Sequence, residues 1–246
     1  MIISLDRATW PDVPTSAGFV LVPVGSTEQH GPHLPLTTDT AIATAVSDMV
    51  ARQLPERTVV APPIAYGNSG EHAGFPGTMS IGYEALRTVI IETVRSLALW
   101  ARRIVLINGH GGNARALDDA VAQMRAEGHD VAWTGCAFPG GDAHAGRSET
   151  SAMLYLAPAH VRMSLAAAGD TRPIEQLMPL LMEDGVRAVS PNGVLGDPAG
   201  ANAYEGMILI EAVVNTTLRR IRVFSPDHRG RLTYPANRKD REAQRS

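Results

Sequence analysis

Apolar positions fall into two alternating patterns along this chain. Phe19-Val20-Leu21-Val22-Pro23-Val24, Val59-Val60-Ala61 and Ile104-Val105-Leu106-Ile107 are short apolar runs, and Val131 to Cys136 is a fourth strand candidate. Such runs read as strands buried on both faces. Pro62 and Pro63 end the second of them early or place it near an edge. Between the runs the spacing turns helical. Ile42, Val46, Met49, Val50 and Leu54 share one face over 40–54, and Pro55 stops that helix. Leu86, Ile90, Val94, Leu97 and Ala98 predict a helix reaching Arg102, with Ser80 placed to cap it. A third helix runs from Ala114 to Glu127, capped by Asn113 and ended by Gly128. Thr150 to Leu156, Ile174 to Met182 and Ala203 to Leu218 are further helical segments. Residues 4–16 form a short helical or irregular lead-in broken by Pro11 and Pro14, and much of 159–200 is irregular. From Ser225 the chain is polar, and its basic residues are mixed with Asp227, Asp240 and Glu242, so a solvated or subunit-contacting tail is expected. With no repeat and no dividing linker, residues 1–246 read as one domain. Strand–helix alternation predicts an α/β fold with a mostly parallel sheet, whose ligands gather at strand carboxyl ends.

Composition narrows the function. The chain has 246 residues, 44% hydrophobic and 19% charged, which is a globular composition. A net charge of -3 gives no electrostatic case for nucleic acid or an anionic membrane. One cysteine, Cys136, excludes an internal disulfide framework and fits a reducing cytoplasm. The start of the chain lacks a signal-peptide pattern, and no apolar run approaches the roughly 20 residues of a membrane span.

Chemistry concentrates in loops after strands. Gly25-Ser26-Thr27-Glu28-Gln29-His30-Gly31-Pro32-His33-Leu34-Pro35-Leu36-Thr37-Thr38-Asp39 follows the first strand. Glu28 and His30, two apart, lie on one side of an extended segment, and Asp39 comes just before a helix. Two carboxylates and an imidazole there make half of a metal site, against the alternative of a polar loop that happens to hold two histidines. Of eight histidines, His30, His33, His72, His110 and His144 sit in Gly-rich loops after strands, a distribution that favours ligation or proton transfer. His110, in Asn108-Gly109-His110-Gly111-Gly112-Asn113, either ligates or stabilises its loop, and a phosphate cradle is the weaker reading because no Walker or dinucleotide pattern occurs. Glu149, five residues after His144, is a ligand candidate or a first-turn glutamate favoured by the helix dipole. Ser69 and Glu71 lie in the loop 67–78, where turn formation competes. No Gly-x-Ser-x-Gly occurs and Cys136 lies in a strand, so nucleophilic triads are unsupported.

Four segments together carry a resemblance: Glu28-Gln29-His30-Gly31-Pro32-His33-Leu34-Pro35, Phe75-Pro76-Gly77-Thr78, Asn108-Gly109-His110-Gly111-Gly112-Asn113 and His144-Ala145-Gly146-Arg147-Ser148-Glu149-Thr150-Ser151. In order across roughly 15–220, they resemble the creatininase (creatinine amidohydrolase) family. The resemblance implies a three-layer α/β/α sandwich and a dinuclear metal site. Glu28, His30, Asp39 and His110 fall on its ligand positions, with Asp39 as the bridge. His144 falls on its proton-transfer histidine and Ser69 on a substrate-contacting serine. Creatininase has a glutamate where this chain has Gly112, and Glu149 is the carboxylate expected to replace it. The chain is also shorter between His110 and His144, without the aromatic insert that covers creatinine, which suits a longer substrate. Val189 to Pro198 and the His144–Ser151 motif look most like the mycofactocin-system peptidase branch of the family. That likeness implies a modified precursor peptide as substrate, with release of its C-terminal dipeptide. The family also implies a homo-oligomer, hexameric or larger.

The expected cofactor is a pair of divalent ions per chain, Zn2+, Fe2+ or Mn2+, between which the ligand types do not choose. Two such ions roughly 3.5–4 Å apart would hold a hydroxide and polarise an amide carbonyl, with His144 passing a proton to the leaving amine. The rival expectations are a small-amide hydrolase of the same family, of the creatininase or flavin-cofactor formamide type, and a metal- or nucleotide-binding module without turnover.

Overall fold

A computed structural model describes residues 2–55 and 57–233. Among them, five strands form one parallel sheet: β1 (Ile2–Ser4), β2 (Phe19–Val24), β3 (Thr58–Val60), β4 (Ile104–Asn108) and β5 (Val131–Gly135), in the order β1-β3-β2-β4-β5. Six helices complete the fold: α1 (Thr38–Ala51), α2 (Gly82–Leu97), α3 (Ala114–Ala126), α4 (Arg147–Leu156), α5 (Ile174–Val189) and α6 (Ala203–Val223).

Alternation along the strands sends side chains to opposite faces. Phe19, Leu21, Val105 and Ile107 pack on one face against Ile42 and Val46 of α1, Met153 of α4 and Ile210 and Val214 of α6. Val20, Val22, Ile104 and Leu106 pack on the other against Leu86, Ile90 and Val94 of α2 and Leu117 and Val121 of α3. The result is the expected three-layer α/β/α sandwich. Every residue of β2 and β4 is buried, which explains their unbroken apolar runs. Pro23 is tolerated in central β2 because alternate residues donate to opposite neighbours. Val20 donates toward the β4 side, to Arg103 O, and Phe19 toward the β3 side, to Arg57 O. The missing Pro23 N–H therefore faces the space beyond the end of β3 at Val60.

Several boundaries differ from the sequence reading, each for a local reason. β1 precedes the lead-in and overlaps it only at Ser4; it is a three-residue edge strand, half exposed, too short to show a pattern. α2 starts at Gly82 with Ile81 at the cap position, and Ser80 Oγ is shared, accepting the Ser69 N–H at 2.9 Å and the Gly82 N–H at 3.3 Å. Asn113 is likewise no cap, since its amide is used across the loop. α4 begins at Arg147, so Glu149 stands in its first turn. α5 continues past Met182 to Val189 through a kink at Gly185. The stretch after Ser225 is not wholly solvated: Leu232 is buried, and Arg231 pairs with Trp133 beside β5. The rest of the expected tail, 234–246, lies outside the described residues. No helix of the described residues is long and apolar enough to cross a membrane.

Candidate metal centre

The carboxyl ends of β2 and β4 are adjacent in the sheet, at the place where the chain connections diverge to the two faces. Ligands collect at such a point. The loop after β2 doubles back through a His30–Leu34 bridge and leads into α1, which presents Asp39 in its first turn. α1 can approach this closely because Gly109 has no side chain; a Cβ there would run into the Asp39 carbonyl. Asn108 braces the second loop, donating from Nδ2 to His110 O at 2.7 Å and accepting the His110 N–H at 3.3 Å. Asn113 ties that loop to the first by donating to Gly25 O at 2.9 Å.

Two imidazoles are held by their outer nitrogens and turned inward. His30 Nδ1 donates to Glu28 O at 3.2 Å, leaving Nε2 3.1 Å from Asp39 Oδ1. His110 Nε2 donates to Asn68 O at 3.1 Å, leaving Nδ1 3.2 Å from Glu28 Oε1 and 3.3 Å from Asp39 Oδ2. Asp39 thus offers one oxygen to each imidazole, and Ser26 Oγ donates to Oδ2 at 2.7 Å. Backbone-braced imidazoles of this kind are typical of metal sites. Glu149 reaches the same space from α4, its Oε2 3.9 Å from His30 Nε2 while accepting the Ala145 N–H at 2.6 Å.

His144 is set by backbone pairing with Leu195, and its ring lies 4.2 Å from that of His30. Ser69 is fully buried, with Oγ 3.5 Å from His110 Nε2. All seven residues singled out from the sequence therefore converge. His33 does not join them; its Nε2 lies 2.8 Å from Thr150 Oγ1. Two further participants are His72, with Nε2 3.2 Å from Glu28 Oε1, and Gln29, whose amide contacts His72. The signal that singled out His110, a histidine in a Gly-rich loop after a strand, was equally present at His72. What the sequence did not show is the short helical turn Gly70–His72 that swings this ring inward.

Three overlapping groups have ligand atoms all within 4.8 Å of one another: Glu28, Asp39 and His110; His30, His144 and Glu149; and Glu28, His72 and His144. Both oxygens of Glu28 are buried and lack a hydrogen-bond donor, although imidazole nitrogens lie nearby. A buried carboxylate in that condition costs free energy unless a cation satisfies it. The donor set of nitrogens and carboxylate oxygens fits a divalent transition metal.

Charge follows the same division. Burial opposes ionisation of Glu28, but His110 and His72 hold its carboxyl down at about 2. Against burial, His30 and His110 keep Asp39 well below the usual range. Burial likewise opposes charge on His30, yet Asp39 raises it to about 10, and Glu28 and Asp39 raise His110 well above its ordinary value. Burial prevails at the rest: Glu149 is pushed up to about 7 despite His30, His72 down to about 4 despite Glu28, and His144 well down, with His30 and His72 adding to the effect. Two imidazolium protons thus balance two carboxylates, and a divalent cation can displace such protons. Cys136 is buried and its thiol is pushed up to about 12 by that burial, which removes it as a nucleophile.

A parallel sheet with buried carboxylates and imidazoles gathered at its switch point defines an α/β protein with a site that could hold metal. The family model described as "Creatininase: Creatinine amidohydrolase" matches residues 6–221, and the chain belongs to that family. It is 52% identical over 219 residues to the mycofactocin precursor peptide peptidase of Mycolicibacterium smegmatis (strain ATCC 700084 / mc(2)155), covering 87% of this chain and 89% of that one. It is 50% identical over 236 residues to the protein of the same name from Mycobacterium ulcerans (strain Agy99), covering 93% and 94%. Among solved structures, a creatininase mutant of Zn-Zn type superposes with a TM-score of 0.76 at 26% identity, covering 92% of this chain and 100% of that one.

Proposed function

We propose that this chain is a metal-dependent peptidase acting on a modified precursor peptide of the mycofactocin type, releasing its C-terminal dipeptide. The observation that carries the metal-dependent reading is the donor-less buried carboxylate of Glu28 among inward-turned imidazoles. The peptide substrate rests on the likeness to the two mycobacterial peptidases.

Glu28, Asp39 and His110 would hold one divalent ion, and His30, Asp39 and Glu149 a second, with Asp39 shared through its two oxygens. Zn2+, Fe2+ and Mn2+ all suit these donors. Such ions polarise an amide carbonyl and make water a nucleophile near neutral pH. The chain's own groups do the remaining work. His144, neutral and beside this cluster, carries a proton to the departing amine nitrogen. Ser69, buried next to His110, contacts the substrate. The active form is a homo-oligomer, hexameric or larger.

The test is incubation of zinc-, iron- and manganese-loaded protein with the modified precursor peptide, read by mass spectrometry, beside creatinine and a formamide substrate. Loss of the C-terminal dipeptide is expected. Turnover of creatinine or the formamide with an intact peptide would reassign the substrate. No turnover of any amide by metal-loaded protein would overturn the hydrolase reading.

A further inference from the structure

Gln29 stands between two proposed ligands, Glu28 and His30, and is itself buried. Its amide orientation is fixed. Oε1 accepts the Gly31 N–H at 2.9 Å, so the other end is the NH2 group. That NH2 has two hydrogens. Its two shortest partners are His72 Nδ1 at 2.9 Å and Gly193 O at 3.0 Å. Gly193 must be glycine for this contact, because its φ is +80° and a side chain there would run into Gln29 Oε1. His72 Nδ1 therefore accepts, and a neutral ring then carries its proton on Nε2, the atom 3.2 Å from Glu28 Oε1.

The same residue acts on His144 through its backbone. His144 Nε2 lies 2.8 Å from Gln29 O. A bare nitrogen at that distance would set two acceptors against each other, so Nε2 carries the hydrogen. Gln29 Nε2 is also 3.1 Å from His144 Nε2, but its hydrogens are taken by the two shorter contacts. His144 Nδ1 is thereby left bare, on the side of Glu28, whose Oε1 is 3.9 Å away.

We propose that Gln29 is a positioning residue: its amide fixes His72 with the protonated Nε2 turned toward Glu28, and its carbonyl leaves His144 one open acceptor, Nδ1. The proposal rests on the hydrolase reading for its kinetic consequence but not for its geometry. His30 and His110 are committed to the carboxylates, so His144 Nδ1 is the nitrogen that takes up a proton from the attacking water. The same nitrogen returns that proton to the amine as the C–N bond breaks. His72 Nε2 meanwhile faces Glu28 Oε1 at 3.2 Å without forming a hydrogen bond, and its proton keeps that nitrogen from ligating, so both Glu28 oxygens stay open to a cation.

Two variants and one spectroscopic readout test this. In protein labelled with 15N-histidine, magic-angle-spinning spectra distinguish the two neutral tautomers, with signals assigned through His72→Asn and His144→Asn. In the unmodified chain both rings are expected as Nε2–H tautomers. Gln29→Glu replaces the donating amide with an acceptor, so His72 shifts to the Nδ1–H form while His144 does not change. Both Gln29→Glu and Gln29→Met are expected to retain metal and lose about 100-fold or more in kcat, with KM changed less than about threefold. An unchanged His72 tautomer in Gln29→Glu, an Nδ1–H tautomer at His144 in the unmodified chain, or kcat within threefold of normal in both variants would overturn the proposal. So would loss of metal from both, since Gln29 would then be scaffold for the ligands. If the unmodified protein hydrolyses no amide, the hydrolase reading fails on its own, and the tautomers still decide the assignment for Gln29.

Discussion

Each inward-turned imidazole uses one nitrogen for the scaffold and keeps the other for the centre, and this has a measurable consequence for metal binding. His30 at about 10 and His110 well above its ordinary value are protonated at neutral pH in the metal-free protein. Metal can enter only by displacing those protons. Calorimetric titration with Zn2+ in buffers of different ionisation enthalpy should show about two protons released per chain near neutrality, and apparent affinity that rises with pH. The stability of the metal-free protein follows the opposite course. The folded pKa of His30 lies above its ordinary 6.5, so its contribution is complete below 6.5 and lost as pH rises through about 10. The metal-free Tm should therefore fall between pH 7 and 10, and a flat profile there would contradict the His30–Asp39 pairing. Glu149 carries the second prediction at this scale. Gln at 149 can still accept the Ala145 N–H, so Glu149→Gln should keep the fold. It should also reduce bound metal toward one ion per chain and depress hydrolysis by orders of magnitude, because the charge that completes the second group is gone. Two retained metals with normal turnover would reduce Glu149 to a helix-start residue. Glu28 and His30 were legible as candidates because they stand two apart in an extended segment, and Asp39 because it stands where a helix begins. Gln29 was not, since an amide between two ligands has no signature until its partners are placed.

The loops, rather than the strands and helices, are where sequence reasoning met its limits. β2, β4, α1 and α2 announced themselves by runs and periodicity because burial alone dictates their side chains. Caps did not. Ser80 and Asn113 have the right identity for N-caps, but Asn113 spends its amide on bonds between loops and Ser80 shares its oxygen between the Ser69 and Gly82 N–H groups. A local rule cannot anticipate a competing partner some 45 residues away. Gly112 shows the same dependence on distant partners. A Cβ there would lie 2.5 Å from His110 Nε2 and 2.6 Å from Glu71 Oε1, and would also meet Asn68 O. The Glu71 carboxylate fills the space into which a side chain at 112 would grow, a physical reason for glycine at this position. Gly112→Ala should displace His110, lower stability by about 1–3 kcal/mol and weaken metal retention. Denaturant unfolding and metal analysis together check it. A variant with normal stability and full metal would show that the loop can shift at no cost.

At the scale of the molecule, strand order is what the sequence left open, because buried parallel strands carry no label for their neighbours. The order β1-β3-β2-β4-β5 puts the two loops with the most chemistry side by side. Their convergence was expected only because both leave carboxyl ends. The outer surface supplies the last prediction. Trp10 is 87% exposed, Leu99 86%, Met182 81% and Tyr204 71%, and Ile208 stands one turn beyond Tyr204 on α6. Single exposed apolar residues are ordinary, while aromatic residues and Met are enriched where one chain meets another. Closed symmetric assemblies of identical chains are the commonest way to cover them. Taken with the homo-oligomer that the family likeness implies, the chain should run as a hexamer or larger in static light scattering at micromolar concentration. Tyr204→Glu and Trp10→Glu, made together, should shift it toward smaller species without loss of secondary structure. Tm of the unmodified protein should rise with protein concentration, because association that favours the folded state adds to its stability by mass action. A monomer at micromolar concentration, with a Tm independent of concentration, would mean that these side chains are simply solvated and that the centre is complete within one chain.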